Sequence, residues 1–366
     1  MRIRFRIRYP LLTFFCLTIV MNTVARPVYF GTYDKSIQRA EFEPTTGRLC
    51  DQQAAASLPL ASFLEKSADG RHLYAVSENT TGSVHAFSIG ANGALTALGS
   101  VASGGGAPCH LALSPAGDQL AVANYSGGSV IIFATNPDGS LGARVAFFEH
   151  SLAVKINSQR QEKPHAHGVT WSPDGHLLLV PDLGADRVYI YARDARTGNF
   201  GPHSAQAWLE LPPGSGPRHA TFSPDARYLY IVNELTSSIS VASYSPRDRT
   251  FALRQTTTTL PADFTLPNTT AEIAIHPAGH TVYVSNRGHD SLAVFSRNAD
   301  TGELTPAGHV SVPENPRHFT LDPDGHWLLA AGQNDDRVQV FSVDATNGKL
   351  TPASELNISK PVCVKF

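Results

Sequence analysis

The segment KPHAHGV places His165 and His167 two residues apart. In an extended strand that spacing puts both imidazoles on one face. Elsewhere the chain carries Arg218 in GPRHA, Glu234 in YIVNEL, Arg287 in YVSNRG and Arg317 in NPRHF. An imidazole or a carboxylate can take a proton from water, and a guanidinium offers a planar fork to an oxyanion or an anionic substituent. These groups lie far apart in the chain. The chemistry exists only if a fold gathers them.

That fold is written as a repeat. A turn of the Ser-Pro-Asp-Gly kind recurs at Ser67, Ser114, Ser172, Ser223, His276 and Asp322, at spacings of 47, 58, 51, 53 and 46 residues. Each turn precedes an apolar run such as LLLVPD, YLYIVNE or TVYVSNR. A second signal, a Gly turn before Leu or Phe, appears as TGRL, NGAL, DGSL, TGNF, TGEL and NGKL, with a degenerate DRTF near Thr250, which makes seven. Between the two signals lie β-branched and aromatic segments such as SVIIFAT and RVYIYAR. Each period therefore reads as four short antiparallel strands, the size of a propeller blade. The fold class is all-β: a seven-bladed β-propeller of four-stranded antiparallel blades. The first period lacks an innermost strand and the chain stops at KPVCVKF. Pairing the two ends completes that blade and removes an edge.

In a propeller, the start of the innermost strand and the end of the next meet at one mouth of the central channel. Five residues before each turn signal lie Ser62, Cys109, His167, Arg218, Ala271 and Arg317, with Val362 in the closing blade. At the end of the return strand lie Thr32, Asn79, Tyr125, Leu183, Glu234, Arg287 and Gln333. Charge converging on a channel mouth is expensive unless paired, so its clustering there points to a polar ligand. His165 is expected higher on the same face, at the rim. Arg160 precedes it in the long insertion NSQRQEKPHAH, which could cover the mouth as a lid. His110, His219 and His318, one position later in the column, are expected to face between blades as structural residues. The Ser-Pro-Asp-Gly turns belong to the opposite face, and Asp182 and Asn286 are expected to cap turns beside the pocket.

Composition adds exclusions. The formal charge of −2 gives no global reason to bind nucleic acid. The N-terminus reads as a secretory signal peptide over residues 1–25: MRIRFRIRYP is basic, LLTFFCLTIVM is apolar, and TVA offers small residues for cleavage. The propeller then occupies residues 26–366, in a periplasmic or secreted protein with no stable membrane association after cleavage. Cys50, Cys109 and Cys363 remain, which is not a disulfide framework. Cys50 and Cys363 fall on the outermost and innermost strands of one blade, too far apart to bond. No spacing suits a structural zinc.

The motifs RQEKPHAHGV, LVPDLGADRVYIY, GSGPRHATFSPD, YIVNEL, YVSNRGHDSLAVF and NPRHFTLDPDG closely resemble the seven-bladed propeller lactonases, a family holding propeller-type 6-phosphogluconolactonases and carboxy-muconate lactonizing enzymes. The similarity runs from about Val28 to the C-terminus. It implies an active site on His167, Arg218, Glu234 and Arg287. It does not imply a metal, and the mouth columns hold a single carboxylate, so no metal and no cofactor are expected. His165, Arg317, Gln333 and Arg160 are then expected to contact substrate. The implied activity is hydrolysis of a sugar-acid or related lactone, anionic or polyhydroxylated, with Glu234 or His167 as base. The export signal puts a cytosolic sugar phosphate in doubt. Two alternatives use the same residues: a lactonizing cycloisomerase acting on a muconate-like diacid, and a ligand-binding propeller without catalysis.

Overall fold

The computed structural model of the chain describes residues 25–194 and 196–366. The leader expected over residues 1–25 lies, but for Ala25, outside the described residues. Seven antiparallel sheets follow one another around a ring, and no helix occurs among the described residues. Six blades are continuous in sequence, spanning residues 64–102, 108–149, 170–210, 217–258, 269–311 and 316–357. Here they are blades two to seven. Blade one is the composite: Arg26–Thr32, Ser36–Glu43 and Arg48–Ser57 are completed by Pro361–Lys365, which pairs with Arg26–Thr32. The expected closure by strand exchange is what the molecule shows. In blade four the outermost strand is split into Phe200–Pro202 and Trp208–Glu210, both paired with Arg187–Arg193.

The apolar runs after each turn signal become the second strands. QLAVAN, LLLVPD and YLYIVN are buried at every position, because both of their faces pack against neighbouring blades. This is why they read as continuous hydrophobic segments rather than as alternation. The outermost strands are largely exposed, and LTPASELN keeps one buried position, Leu350. The two sequence signals also meet each other. Tyr29, Tyr74, Tyr230 and Tyr283, fully buried on second strands, donate their hydroxyls to the carbonyls of Gly93, Gly139, Gly302 and Gly348 at 2.7–2.9 Å. Each acceptor is the Gly turn of the next blade, so the second repeat signal staples consecutive blades together. At the closing joint Trp327 Nε1 of blade seven donates to the Pro44 carbonyl of blade one at 2.8 Å.

The turn serines behave as structural residues. Ser172 and Ser223 Oγ donate to Asp174 and Asp225 at 2.5 Å, and Leu177 N donates to Ser172 Oγ at 2.9 Å. Cys50, Cys109 and Cys363 are all free thiols.

Candidate active site at the channel mouth

The ends of the second strands deliver a side chain to the mouth from five of the seven blades, and the starts of the innermost strands deliver a second set. A cavity of about 370 Å³ opens there, lined by Tyr33, Glu78, Tyr125, Arg160, His167, Glu234, Arg287 and Arg317. Larger grooves of 580 and 470 Å³ run between blades at the turn-serine end, among residues such as Ser114, Pro115 and Asp174, and contain none of these groups.

Glu234 is the hub. Its side chain is 3% exposed, and its Oε1 accepts from Arg160 Nη2 at 2.6 Å. Its Oε2 stands 3.0 Å from Arg287 Nη2, 3.1 Å from Arg218 Nε and 3.7 Å from His167 Nε2. The guanidiniums are themselves anchored by the backbone of blade six. Arg218 Nη1 donates to the Ala271 carbonyl at 2.7 Å and Arg287 Nη2 to the Thr270 carbonyl at 2.8 Å. The contacts at Oε2 are close in distance but not aligned as hydrogen bonds, so Glu234 Oε2, Arg218 Nε and Arg287 Nε remain buried without a hydrogen-bond partner. Burial raises the Glu234 carboxyl, but Arg287, Arg218 and Arg160 outweigh it and hold the group at about 2. Burial pulls Arg287 down to about 10 against the pull of Glu234. Burial, reinforced by Arg218, pushes His167 well below the ordinary histidine range, so its imidazole is neutral at pH 7.

A second carboxylate stands across the cavity. Glu78 Oε2 accepts from the Tyr33 hydroxyl at 2.8 Å, and Oε1 faces Arg317 Nη2 at 3.9 Å. The Arg317 guanidinium lies over the Tyr33 ring, 5.2 Å from its centroid. Burial raises both Tyr33 and Tyr125, so each phenol keeps its proton at neutral pH.

The structure brings His167, Arg218, Glu234, Arg287, Arg317 and Arg160 together. The last arrives from the long insertion, whose Gln161 is fully buried and donates to the Leu183 carbonyl at 2.9 Å and to Asp186 at 2.8 Å. That anchor turns the segment into a fixed wall rather than a loose cover, with Arg160 Nε also reaching the Tyr125 hydroxyl at 3.2 Å. His165 does not line the cavity. It is buried behind Tyr125, stacked on that ring at 4.3 Å, with Nδ1 donating to the Tyr125 carbonyl at 3.0 Å. Gln333 follows the strand that ends at Gly332 and is also absent from the lining.

Two residues of the lining, Tyr33 and Glu78, lay outside the expected column because it was read one residue early in blade one and one late in blade two. Tyr125, Leu183, Glu234, Arg287 and Gln333 each fall 11 residues after their turn signal, and the same count from Ser67 lands on Glu78, not Asn79. In blade one the strand ends at Thr32, so the equivalent position is Tyr33.

His110, His219 and His318 bond to neighbouring blades as expected, His110 Nδ1 accepting from Val169 N and His318 Nδ1 from Val364 N, each at 3.3 Å, but their rings also converge on the axis. Each innermost strand carries a bulge at this point, between Pro108 and His110, Pro217 and His219, and Pro316 and His318. A bulge sets two residues against one, so consecutive side chains turn toward the axis. The imidazoles therefore meet below the mouth. His110 lies 4.5 Å from His219, and Phe63 lies 4.1 Å from His110 with the two rings tilted by 36°, centroid to centroid. Glu272 Oε2 joins His219 Nδ1 at 3.0 Å and His318 Nε2 at 3.5 Å. Phe63, these three imidazoles and Glu272 thus form one cluster on the axis.

Comparison with known proteins agrees with this architecture. The family described as "Lactonase, 7-bladed beta-propeller" matches residues 27–366. A 6-phosphogluconolactonase of Bacillus subtilis is 34% identical over 294 residues, covering 78% of this chain and 82% of that protein. A 6-phosphogluconolactonase of Yersinia enterocolitica is 33% identical, covering 68% and 69%. The solved structure of a periplasmic gluconolactonase from Pseudomonas aeruginosa superposes with a TM-score of 0.88 at 30% identity, covering 93% of this chain and 99% of that one. With its blades, its closure and nearly its whole propeller accounted for, this chain belongs to the seven-bladed β-propeller lactonase family.

Proposed function

We propose that the protein is a lactonase that opens the lactone of a sugar acid carrying an anionic group, at the mouth of the channel. The observation that carries this reading is the charge balance of the cavity. Three lining arginines, 160, 287 and 317, and Arg218 beside Glu234 stand against two carboxylates, Glu78 and Glu234, a formal excess of two positive charges in and around a largely buried site. Uncompensated buried charge is unfavourable, and an anionic substrate removes it. A guanidinium set in this way also stabilises the oxyanion that forms when water adds to a carbonyl. Relatives named for 6-phosphogluconolactone and for gluconolactone support the sugar-acid class.

The test is a pH-stat comparison of 6-phosphoglucono-δ-lactone with glucono-δ-lactone, corrected for spontaneous opening. Both are expected to turn over, the anionic lactone with the lower KM, and that advantage is expected to shrink as salt is raised. Equal KM values at low salt would show that the excess charge does not recognise the substrate's anion.

We also propose that the protein is exported and cleaved after Ala25. The basic, apolar and small-residue order of the first 25 residues supports this, as does similarity to a protein named as periplasmic. N-terminal sequencing of protein recovered from the producing cells is expected to begin at Arg26. A soluble cytosolic form that keeps Met1 would overturn export.

A further inference from the structure

The two carboxylates of the cavity are not equivalent. Glu234 has Oε1 occupied by Arg160 at 2.6 Å and Oε2 enclosed by Arg287, Arg218 and His167 within 3.7 Å. A proton placed on it would displace one of the cations it neutralises. His167 is no better placed, because its Nε2 already faces Glu234 and a second positive charge there would stand beside Arg218. Glu78 differs on both counts. Its Oε2 is fixed by the Tyr33 hydroxyl, while Oε1 has only Arg317 at 3.9 Å, and its side chain is 16% exposed against 3% for Glu234.

We infer that Glu78 is the general base of the reaction, that Tyr33 holds its carboxylate in place, and that Glu234 serves to position the arginines. This rests on the lactonase reading above. The water oxygen bonds to the lactone carbonyl carbon as one of its protons passes to Glu78 Oε1. The carbonyl π pair moves onto oxygen, facing the guanidiniums. When the carbonyl re-forms, the ring C–O bond breaks, and the proton held by Glu78 passes to the departing ring oxygen, which leaves as a hydroxyl. The carboxylic acid so formed gives its own proton to solvent. One water is consumed, and Glu78 returns to its starting state.

The experiment uses the full protein with glucono-δ-lactone and 6-phosphoglucono-δ-lactone. Glu78→Gln keeps the shape of the side chain and is expected to lower kcat by about 10²–10⁴-fold, with KM changed by less than about threefold. Glu78→Ala is expected to show the same loss and to regain turnover as formate is added, since a small carboxylate can replace the missing base. A kcat for Glu78→Gln within tenfold of the unmutated protein overturns the assignment while leaving the lactonase reading intact. Loss in Glu78→Ala that formate does not restore, together with a raised KM in Glu78→Gln, makes Glu78 a binding group and also overturns it. Failure of the unmutated protein to open either lactone overturns the lactonase reading and the assignment with it.

Discussion

Glu234→Gln is expected to destabilise the protein by about 3–5 kcal/mol and to cut turnover by about 10²-fold. The stability loss follows from burial. Glu234 and Arg218 have side chains 3% exposed and Arg287 12%, so removing the carboxylate leaves two deeply buried guanidiniums without their counterion. Arg160, at 36% exposure, can relax toward solvent, but Arg218 and Arg287 are tied to the blade-six backbone and cannot. The turnover loss follows from displacement, since a shift of about 1 Å in a positioning group can remove about 10²-fold of rate. Denaturant titration and kcat/KM measured on the same sample check both parts. Unchanged stability would mean that other groups neutralise the arginines. The contrast with Glu78→Gln is diagnostic, because that variant is expected to lose kcat while keeping its stability.

The second large effect is acid instability. His167, His219 and His318 are buried at 4%, 3% and 8% exposure, and burial pushes all three below their ordinary value of 6.5, His318 to about 4. Arg218 adds to the depression at His167 and His219, while Glu272, which contacts His219 and His318, opposes it at His318. The folded protein therefore keeps these rings neutral at pH values where the unfolded chain protonates them. Their contribution is fully present above pH 6.5 and is lost as pH falls through that value, by about 1.4 kcal/mol per pH unit for each histidine. The three losses add, so stability is expected to fall steeply as pH drops below 6.5. Glu234 acts in the same direction at lower pH. Held at about 2 against an ordinary 4.5, it contributes stability above 4.5 that disappears between those values. Against a typical domain stability of about 5–15 kcal/mol, the fold is expected to fail cooperatively near pH 4–5. Denaturant titrations from pH 8 to pH 4 check this. Stability that stays level down to pH 4.5 would show that the buried imidazoles bind protons in the folded state.

The blade count and the ring closure were legible because each is carried by a period in the chain: turn serines, Gly turns, and a missing strand at one end matched by a surplus at the other. His167, Arg218, Glu234 and Arg287 were legible for the same reason, as exceptions in columns where packing needs no charge. Glu78 and Tyr33 escaped through a register slip of one residue, which in a strand is enough to change the side chain that faces the channel. The count of 11 from Ser67 would have found Glu78. The axial histidines could not be read in this way. Their direction depends on bulges at Cys109, Arg218 and Arg317, and a bulge leaves no mark in a periodic pattern. His165 was misplaced because its strand spacing is overridden by stacking on Tyr125. The reach of Arg160 to Glu234 depends on the buried Gln161 anchor, a tertiary contact with no local signature.

The gathering of arginines from separate blades around one channel mouth, acting there on a lactone, is tested most directly by replacing one of them. The initial rate of glucono-δ-lactone opening should be followed with the unmutated protein, with Arg287→Met and with buffer alone. The unmutated protein should run far above the buffer rate, and the variant should lose about 10²–10³-fold, the typical loss when one oxyanion donor is removed. A folded Arg287→Met protein as fast as the unmutated one, or an unmutated protein no faster than buffer, would contradict catalysis at this mouth.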